Sequence, residues 1–477
     1  MTSPLSKTFA SLLAATALTG CMVGPDYQGP PHPALQAETA KSFLRAPVAQ
    51  GVTGPPAAQW WLALKDEELS RLVEAALAHS PDVKAAEARL RESRAVLTER
   101  QRNLAPSVGA QTGFIYADGL PGSLGGSGGG SAPLKLYNAG FDASWELDLF
   151  GGTRRAIESA DAQADATQAD LEDVRVSLAA ETADAYVQLR DQQQRKAIAE
   201  ASVQLESQLV DLAAQRKSRG VESDLDLTRL EEQLDSTKAV LIPLEADIEA
   251  SLDRLAVLTG QAPGTLDAAL SAPAALPDLP NEVTVGDPGE MLRRRPDIRA
   301  AERRLKAQNA VIGQRTADLY PKINLIGLIG WGAPGLSHLF DSTTTVVAPT
   351  LQWNAMDFGR TRARIHQAEA GRDEAAALYD AAVLNALRDA ETSLSRFGRA
   401  REDVVALARV EASASHAAEL MRQRHAAGVA TVIDVLDTER SRLTAEQDLA
   451  SARAQLDRDY VALQKALGLG WQPTTSA

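Results

Sequence analysis

Cysteine, aromatic residues and long apolar runs are all scarce in this chain of 477 residues. The single cysteine, Cys21, excludes an intramolecular disulfide. No run of about 18 consecutive apolar residues is present, which argues against a transmembrane helix. Aromatic residues make up only 4% of the chain, whereas Ala, Leu, Arg, Gln and Glu are abundant. This composition favours long helices.

The residues that would support catalysis or nucleic-acid binding are also missing. The net charge is -14 and no large basic cluster occurs, so nucleic acid is not expected as a partner. The six histidines form neither an i,i+4 pair nor an HExxH motif, which argues against a zinc site. The glycine run 125–130 lacks the Lys-Ser/Thr of a phosphate-binding loop. We therefore expect neither an enzyme nor a metal or cofactor.

The N-terminus has the form of a bacterial export signal. A short apolar stretch begins after Lys7 and ends in Leu18-Thr19-Gly20-Cys21, which resembles a lipobox. In that interpretation residues 1–20 are removed and Cys21 carries a covalent lipid. The alternative is an ordinary signal peptide followed by a chance cysteine. Met22 stands where an Asp commonly directs retention in the inner membrane, so the outer membrane is favoured.

The chain contains two copies of one unit. Residues 80–108 align with 295–323 without a gap, at a shift of 215 residues. Later matches, such as Trp145 with Trp353 and Gly220 with Gly428, share a shift of 208. The first copy therefore holds seven extra residues, in the Gly- and Ser-rich segment Asp118–Pro133. This segment and its counterpart Gly332–Ser342 are predicted loops, and we expect both to face the cell exterior.

Each copy also contains two predicted strands, at about 106–116 and 137–150 in the first and about 322–331 and 344–354 in the second. Apolar and polar residues alternate strictly from Tyr137 to Leu149, as in a strand between lipid and water. A strand of a soluble β-sandwich remains the alternative. Four strands cannot close a barrel, so strands in a membrane would require oligomerisation. The predicted polar face carries three carboxylates that would line the lumen: Asp142, Glu146 and Asp148. The alternative is that they lie in a loop or pair with Lys and Arg.

Long helices follow the strands in both copies. Residues after Gly152 contain neither Pro nor Gly until about 218, which predicts a helix of roughly 100 Å. The second copy matches it at about 360–427. The returning helices are predicted at about 222–260 and 431–468. In the first of these, leucines recur every seven residues from Leu227 to Leu255, with one isoleucine, which is typical of a coiled coil. Pro243 is expected to kink this helix or end its regular pairing.

Four short motifs stand out along the chain. They are Cys21-Met22-Val23-Gly24-Pro25-Asp26-Tyr27, Trp60-Trp61 with Asp66 and Leu69, Leu292-Arg293-Arg294-Arg295-Pro296-Asp297-Ile298, and Ala466-Leu467-Gly468 with Gly470-Trp471. Together they resemble the motifs of a known family, the TolC-like outer-membrane factors of tripartite efflux systems, in the lipidated NodT/OprM-type branch. The third motif could also suggest an anion site, although Pro296 and Asp297 suit the first turn of a helix.

The resemblance implies a homotrimer of the TolC-like fold, an α+β membrane protein. Its three chains would form a twelve-stranded barrel in the outer membrane, continuous with a periplasmic α-helical barrel. The implied partners are outer-membrane lipid, a periplasmic adaptor and an inner-membrane pump. The implied function is a passive duct for small molecules such as drugs. A type I-like protein-secretion duct and a coiled-coil envelope lipoprotein without a pore are the alternatives.

The resemblance also implies a periplasmic gate near the helix turns at Gly220 and Gly428. Ile433 and Asp437 fall where lipidated members narrow the aperture, and Asp226, Asp434 and Asp437 where a charge network lies. Two positions depart from the family pattern: Ala430 replaces an expected Arg, and His425 occupies an aromatic position. The cationic partner of these aspartates is therefore left open. The candidates are Arg216, Arg424, His425 and Arg440. The alternative is that the aspartates are solvated helix-start carboxylates favoured by the helix dipole.

These features predict a division of the chain into six segments. They are a signal peptide (1–20), a lipidated N-terminal segment (21–60), a first repeat (61–267), a linker (268–290), a second repeat (291–470) and a tail (471–477).

Overall fold

The computed structural model describes residues 22–45, 57–117 and 134–471. The predicted signal peptide, the lipidation residue Cys21 and the predicted loop Asp118–Pro133 lie outside the described residues, as does most of the predicted tail. No helix in the described ranges is long and apolar enough to cross a membrane.

Long helices and a single antiparallel sheet make up most of the described chain. In chain order the elements are α1 (Leu35–Thr39), α2 (Glu67–His79), α3 (Pro81–Arg102), β1 (Ser107–Ala117), β2 (Leu134–Leu147), α4 (Gly152–Ser218), α5 (Asp224–Leu258), α6 (Asp267–Leu270), α7 (Pro288–Arg294), α8 (Pro296–Ala317), β3 (Lys322–Ala333), β4 (Thr343–Gln352), α9 (Arg360–Ala426) and α10 (Val432–Ala466). Short 3-10 turns span Trp60–Leu64 and Leu336–His338.

The internal repeat is visible in the lengths of the helices. Helices α3 and α8 have 22 residues each, α4 and α9 have 67, and α5 and α10 have 35. Side-chain contacts repeat as well. The indole Nε1 of Trp145 donates to the Leu104 carbonyl at 2.8 Å, and that of Trp353 donates to the Leu319 carbonyl at 3.0 Å. The two copies therefore share local contacts as well as element order.

Helix α5 buries part of the predicted heptad. Leu234 and Leu255 are buried, whereas Leu227, Leu241 and Ile248 are half-buried. Two further leucines on this helix are also buried, Leu230 and Leu244. This is the pattern expected when one stripe of a helix packs against neighbouring helices. Pro243 does not end the helix, which continues to Leu258.

The four strands form one sheet in the order β1-β2-β3-β4, with every pair antiparallel. Gly109 of β1 lies opposite Asp142 of β2, and Glu146 of β2 lies opposite Asn324 of β3. The outer strands β1 and β4 each have one edge without a partner among the described strands. Pro349, which lacks an N–H group, lies in the outer strand β4, where such a residue is tolerated.

Strand β2 ends earlier than the sequence predicts. The alternation of apolar and polar residues continues to Leu149, but the strand ends at Leu147. Asp148 instead accepts hydrogen bonds from the backbone N–H groups of Thr153 and Arg154, at 3.1 and 2.9 Å. The prediction that Asp148 shares the polar strand face is therefore wrong. Its carboxylate caps the start of α4.

The chain forms two compact units, and neither corresponds to one repeat. The first comprises residues 1–31, 89–167 and 300–379, and contains the sheet. The second comprises 32–88, 168–299 and 380–477, and contains the two helix turns. Each unit takes segments from both copies of the repeat, so the copies are interleaved.

Candidate functional site at the two helix turns

Two tight turns reverse the long helices, one after α4 and one after α9. At the first, the Val221 N–H donates to the Arg216 carbonyl at 3.0 Å and the Gly220 N–H to the Lys217 carbonyl at 2.9 Å. Val429 and Gly428 form the same two bonds in the second turn. Gly220 and Gly428 have φ values of 77° and 78°, which favour glycine. This is the Schellman arrangement of a helix C-terminus.

The helices that follow the turns begin with equivalent caps. The Asp226 N–H donates to the Ser223 hydroxyl at 3.2 Å, and that hydroxyl donates to the Asp226 carboxylate at 2.6 Å. Thr431 and Asp434 form a complete capping box. Hydrogen bonds from the hydroxyl and backbone of Thr431 lower the pKa of Asp434. Asp226 and Asp434 therefore act as helix-start carboxylates in the single chain, as the alternative interpretation holds.

Ile433 and Asp437 lie in the first turns of α10, close to the cap residue Asp434. Both are exposed, and they are four residues apart, which places them on one face of the helix. Arg440 is also exposed and follows Asp437 by three residues on that face. This exposed face, which we call the aperture face, consists of Ile433, Asp437 and Arg440. The three residues share one face by their spacing, and Asp434, which is also exposed, differs from them in bonding Thr431 within the cap.

Arg216 connects the two turns. Its Nη1 lies 2.7 Å from Nε2 of His425 and 3.7 Å from the Glu222 carboxylate. The second ring nitrogen of His425, Nδ1, lies 3.1 Å from the Ala430 carbonyl and can donate to it. Nε2 is then the acceptor for Arg216. Arg216 and His425 therefore link the two repeats. Arg424 has a different role, because its positive charge contributes to the lowered pKa of Asp434.

A small apolar cluster packs beneath the turns. Ala213 of α4, Leu230 of α5, and Val432 and Leu436 of α10 are all buried against one another. Leu209, Val210 and Leu227 pack around them. Because this cluster draws on both repeats, it holds the start of α10 against the first helix pair.

A buried charge cluster near α10 was not predicted from the sequence. The carboxylate of Glu439, only 4% exposed, accepts hydrogen bonds from Arg422 of α9 and Arg442 of α10. Arg442 also bonds Glu446. Burial alone would lower the pKa of Arg442, but these carboxylates raise it overall. The spacing of Glu439, Arg442 and Glu446 along α10 is typical of ion pairs within one helix. The contact between Glu439 and Arg422 of α9 has no signal in the sequence.

The predicted lumen residues of β2 have different surroundings. The Glu146 carboxylate lies 3.7 Å from Nζ of Lys322 on β3, so it is partly neutralised. Asp142 faces Gly109, where a side chain would meet its carboxylate at 2.9 Å. The glycine therefore leaves room for Asp142 beside β1.

Comparison with known proteins identifies the family. The family described as outer membrane efflux protein matches residues 72–261 and 288–469. The chain belongs to this family.

Similarity extends along nearly the whole chain. Nodulation protein T from Rhizobium leguminosarum bv. trifolii is 29% identical, over 98% of each chain. The pyoverdine export outer membrane protein OpmQ from Pseudomonas putida is 30% identical, over 93% of this chain and 94% of its own length. The solved structure of the outer-membrane channel OprN covers 95% of this chain and all of its own, with 36% identity and a TM-score of 0.88. The predicted TolC-like fold is thereby confirmed.

In this outer membrane efflux protein, a buried arginine holds the segment that follows Cys21. Arg155 is 2% exposed and donates to the carbonyls of Val23 and Gly24, at 3.2 and 3.3 Å, and to the Asp26 carboxylate at 2.7 Å. Gly24 packs against Gly313 so closely that a Cβ on Gly24 would lie 2.4 Å from the Gly313 Cα. We call this contact the N-terminal clamp. Its partners are more than 120 residues apart, so the sequence does not predict it.

The arginine-rich family motif has a structural role here. Arg294 and Arg295 donate to the carbonyls of Leu467 and Ala466 at the end of α10, at 3.0 and 2.7 Å. Arg295 also pairs with Asp297 at 2.7 Å. These bonds satisfy carbonyls that a helix C-terminus leaves free, which supports the structural interpretation of the motif over an anion site.

Proposed function

We propose that three copies of this chain form a passive duct that carries small molecules across the outer membrane. The single observation that carries the proposal is the four-stranded sheet, whose outer strands β1 and β4 each have an edge that pairs with no other described strand. An unpaired strand edge is strongly unfavourable in lipid, because its N–H and C=O groups have no partner. Pairing β4 of one chain with β1 of the next removes every edge. Three chains then give twelve strands, a size within the range of outer-membrane barrels.

The names of similar proteins support a small-molecule cargo. Relatives of this chain are named for pyoverdine export, toluene efflux and antibiotic efflux. All three are described as outer membrane proteins, and the toluene and antibiotic proteins are described as parts of efflux pumps. We therefore propose that a periplasmic adaptor and an inner-membrane pump deliver the substrate, and that the duct itself performs no chemistry.

We further propose that the aperture face narrows the resting duct. Ile433 supplies apolar bulk, and Asp437 with Arg440 can exchange ion pairs with the equivalent residues of neighbouring chains. Threefold repetition multiplies the effect of each weak, partly exposed pair. Arg440 is the favoured partner for Asp437, because Arg216 is already bonded to His425 and Glu222.

Lipidation of Cys21 is part of the same proposal. The N-terminal clamp fixes residues 23–26 beside α4 and α8, so a lipid on Cys21 would be tethered by only a few residues. Mass spectrometry of the mature protein should show an N-terminal acylated Cys21 with residues 1–20 removed. An unmodified cysteine or a retained leader would contradict lipidation without touching the duct.

Planar-bilayer recording tests the function directly. Purified protein should produce discrete single-channel currents that grow when the aperture face is truncated. A protein that assembles into trimers but never conducts, even with Ile433 and Asp437 changed to Ala, would contradict the duct and favour a non-conducting envelope role.

A further inference from the structure

A cavity beside α10 has no part in the proposed conduction. It measures about 560 Å³ and lies among α4, α10 and the chain segment 273–279 that follows α6. Its walls are mostly apolar, formed by Pro273, Leu276, Pro277, Leu279, Leu456 and Ala197. Its volume falls within the range of small-molecule sites, which is about 300–1,000 Å³.

The wall of this cavity contains a buried carboxylate, that of Asp457. Asp457 is only 6% exposed, and its Oδ2 atom has no hydrogen-bond partner among the described residues. A buried carboxylate without a partner is costly, and such groups are usually paired with a cation or hydrogen-bonded. Burial and the nearby Asp278 carboxylate raise the pKa of Asp457 to about 8.

In the part of the chain that the structure describes, few charged groups lie around Asp457. Asp278 lies on the segment that follows α6, and Arg453 lies one turn earlier on α10, and both side chains are exposed. Helix α4 contributes only Gln194 and Ala197, neither of which titrates. Two carboxylates and one exposed guanidinium therefore face the cavity, with the buried carboxylate at its wall.

We propose that this cavity binds an organic cation, namely a protonated amine attached to an apolar body. The ammonium group would pair with the Asp457 carboxylate, and the apolar body would contact the proline and leucine walls. A divalent metal ion is a poorer match, because Ca²⁺ and Mg²⁺ require about six oxygen ligands and the side chains here supply only those of Asp457, Asp278 and Gln194.

Proton linkage follows from this assignment. Amine binding requires ionised Asp457, so binding below pH 8 releases a proton. The apparent affinity should therefore rise about tenfold per pH unit as the pH approaches 8 from below. Above that pH the affinity should level off until the amine itself loses its proton.

Calorimetry on the full-length protein in lipid nanodiscs tests the site. The probe is 4-phenylbutylamine, its neutral counterpart is 4-phenylbutan-1-ol, and empty nanodiscs give the background. The amine should bind the wild type and release a proton, while the alcohol should not bind. Asp457→Asn preserves shape but removes the charge, and should weaken amine binding at least tenfold.

Asp459→Asn is the matched control. Asp459 lies two residues farther on α10, is also buried, and accepts a hydrogen bond from Gln455 at 3.0 Å, but it does not line the cavity. This variant should bind the amine like the wild type. The site is refuted if the amine fails to bind the wild type, if Asp457→Asn binds it equally well, or if affinity is independent of pH. Single-channel conductance, unchanged in Asp457→Asn, shows separately that the duct is intact.

Discussion

Arg155 shows how a single residue can join segments that are distant in the chain. Its guanidinium bonds two backbone carbonyls and the Asp26 carboxylate near the N-terminus, and also the Glu158 carboxylate at 2.7 Å. Arginine suits this role because its planar group presents several donors in a fixed geometry. A lysine keeps the charge but cannot make all of these bonds.

We expect Arg155→Ala to destabilise the protein, because it leaves two carbonyls and Glu158 without their donor. The loss should be about 2 kcal/mol, below the usual value for a buried pair because the Asp26 side chain is largely exposed. Thermal melting of the purified protein measures the change. Arg175→Ala removes a partly exposed pair with Glu87 at 3.4 Å and should cost at most about 1 kcal/mol. Equal effects of the two substitutions would contradict the clamp.

Asp457 gives a prediction about pH. Its pKa in the folded protein, about 8, lies above the ordinary value of 3.8. At this position the unfolded chain therefore loses its proton first, so the contribution of Asp457 to stability falls as the pH rises from 4 to 8. Asp457→Asn should match the wild type near pH 4 and be more stable near pH 8, as measured by melting temperature across this range. Parallel curves for the two proteins would contradict the raised pKa.

At the scale of elements, the start of α10 carries both a helix cap and the proposed gate residues. Thr431 and Asp434 bond each other in the capping box, whereas Ile433 and Asp437 belong to the aperture face. Alanine substitutions in the cap and on the aperture face should therefore have different consequences.

The Ile433→Ala, Asp437→Ala double variant should raise the resting single-channel conductance several-fold, because each of three chains loses the same side chains. Its melting temperature should stay close to that of the wild type. Thr431→Ala, by contrast, should weaken the cap by about 1 kcal/mol and speed hydrogen exchange in residues 432–435. If only the cap variant changes conductance, the narrowing does not lie on the aperture face.

Strand β2 carries a prediction about ion selectivity. Asp142 lies beside Gly109, while Glu146 is close to Lys322. If this face lines the lumen, Asp142→Asn should reduce the preference for cations more than Glu146→Gln does, because Glu146 is already partly neutralised. Reversal potentials in asymmetric salt measure the preference. Anion selectivity of the wild type would contradict a lumen lined by these carboxylates.

Helices were more predictable from the sequence than contacts. The absence of Pro and Gly between 153 and 218, followed by a glycine turn, places α4 at the bounds that the structure has, because both signals act locally. The end of β2 was misplaced because alternation continues into a segment whose Asp148 caps α4. The N-terminal clamp joins residues that are distant in the chain. The contact of Arg422 with Glu439 joins two separate helices. Local patterns do not encode such pairs.

At the scale of the whole molecule, the duplication explains the architecture proposed for the assembly. Each repeat supplies two strands and two long helices, so one chain contributes an open four-stranded sheet. An open sheet is incomplete in a membrane, and closure by identical chains follows from the symmetry of homo-oligomers. The central claim is therefore that β4 of one chain pairs with β1 of the next until three chains close the barrel.

Cross-linking between the outer strands tests this claim most directly. A panel of variants keeps Cys21 and carries one new cysteine on β1, such as Gln111→Cys, and one on β4, such as Val347→Cys. Treatment of intact outer membranes with a short bifunctional thiol reagent should yield covalent dimers and trimers, with no larger product. Variants with only one of the two cysteines should yield none. A ladder that ends at two chains or extends beyond three, or no product across the panel, would contradict closure by three chains.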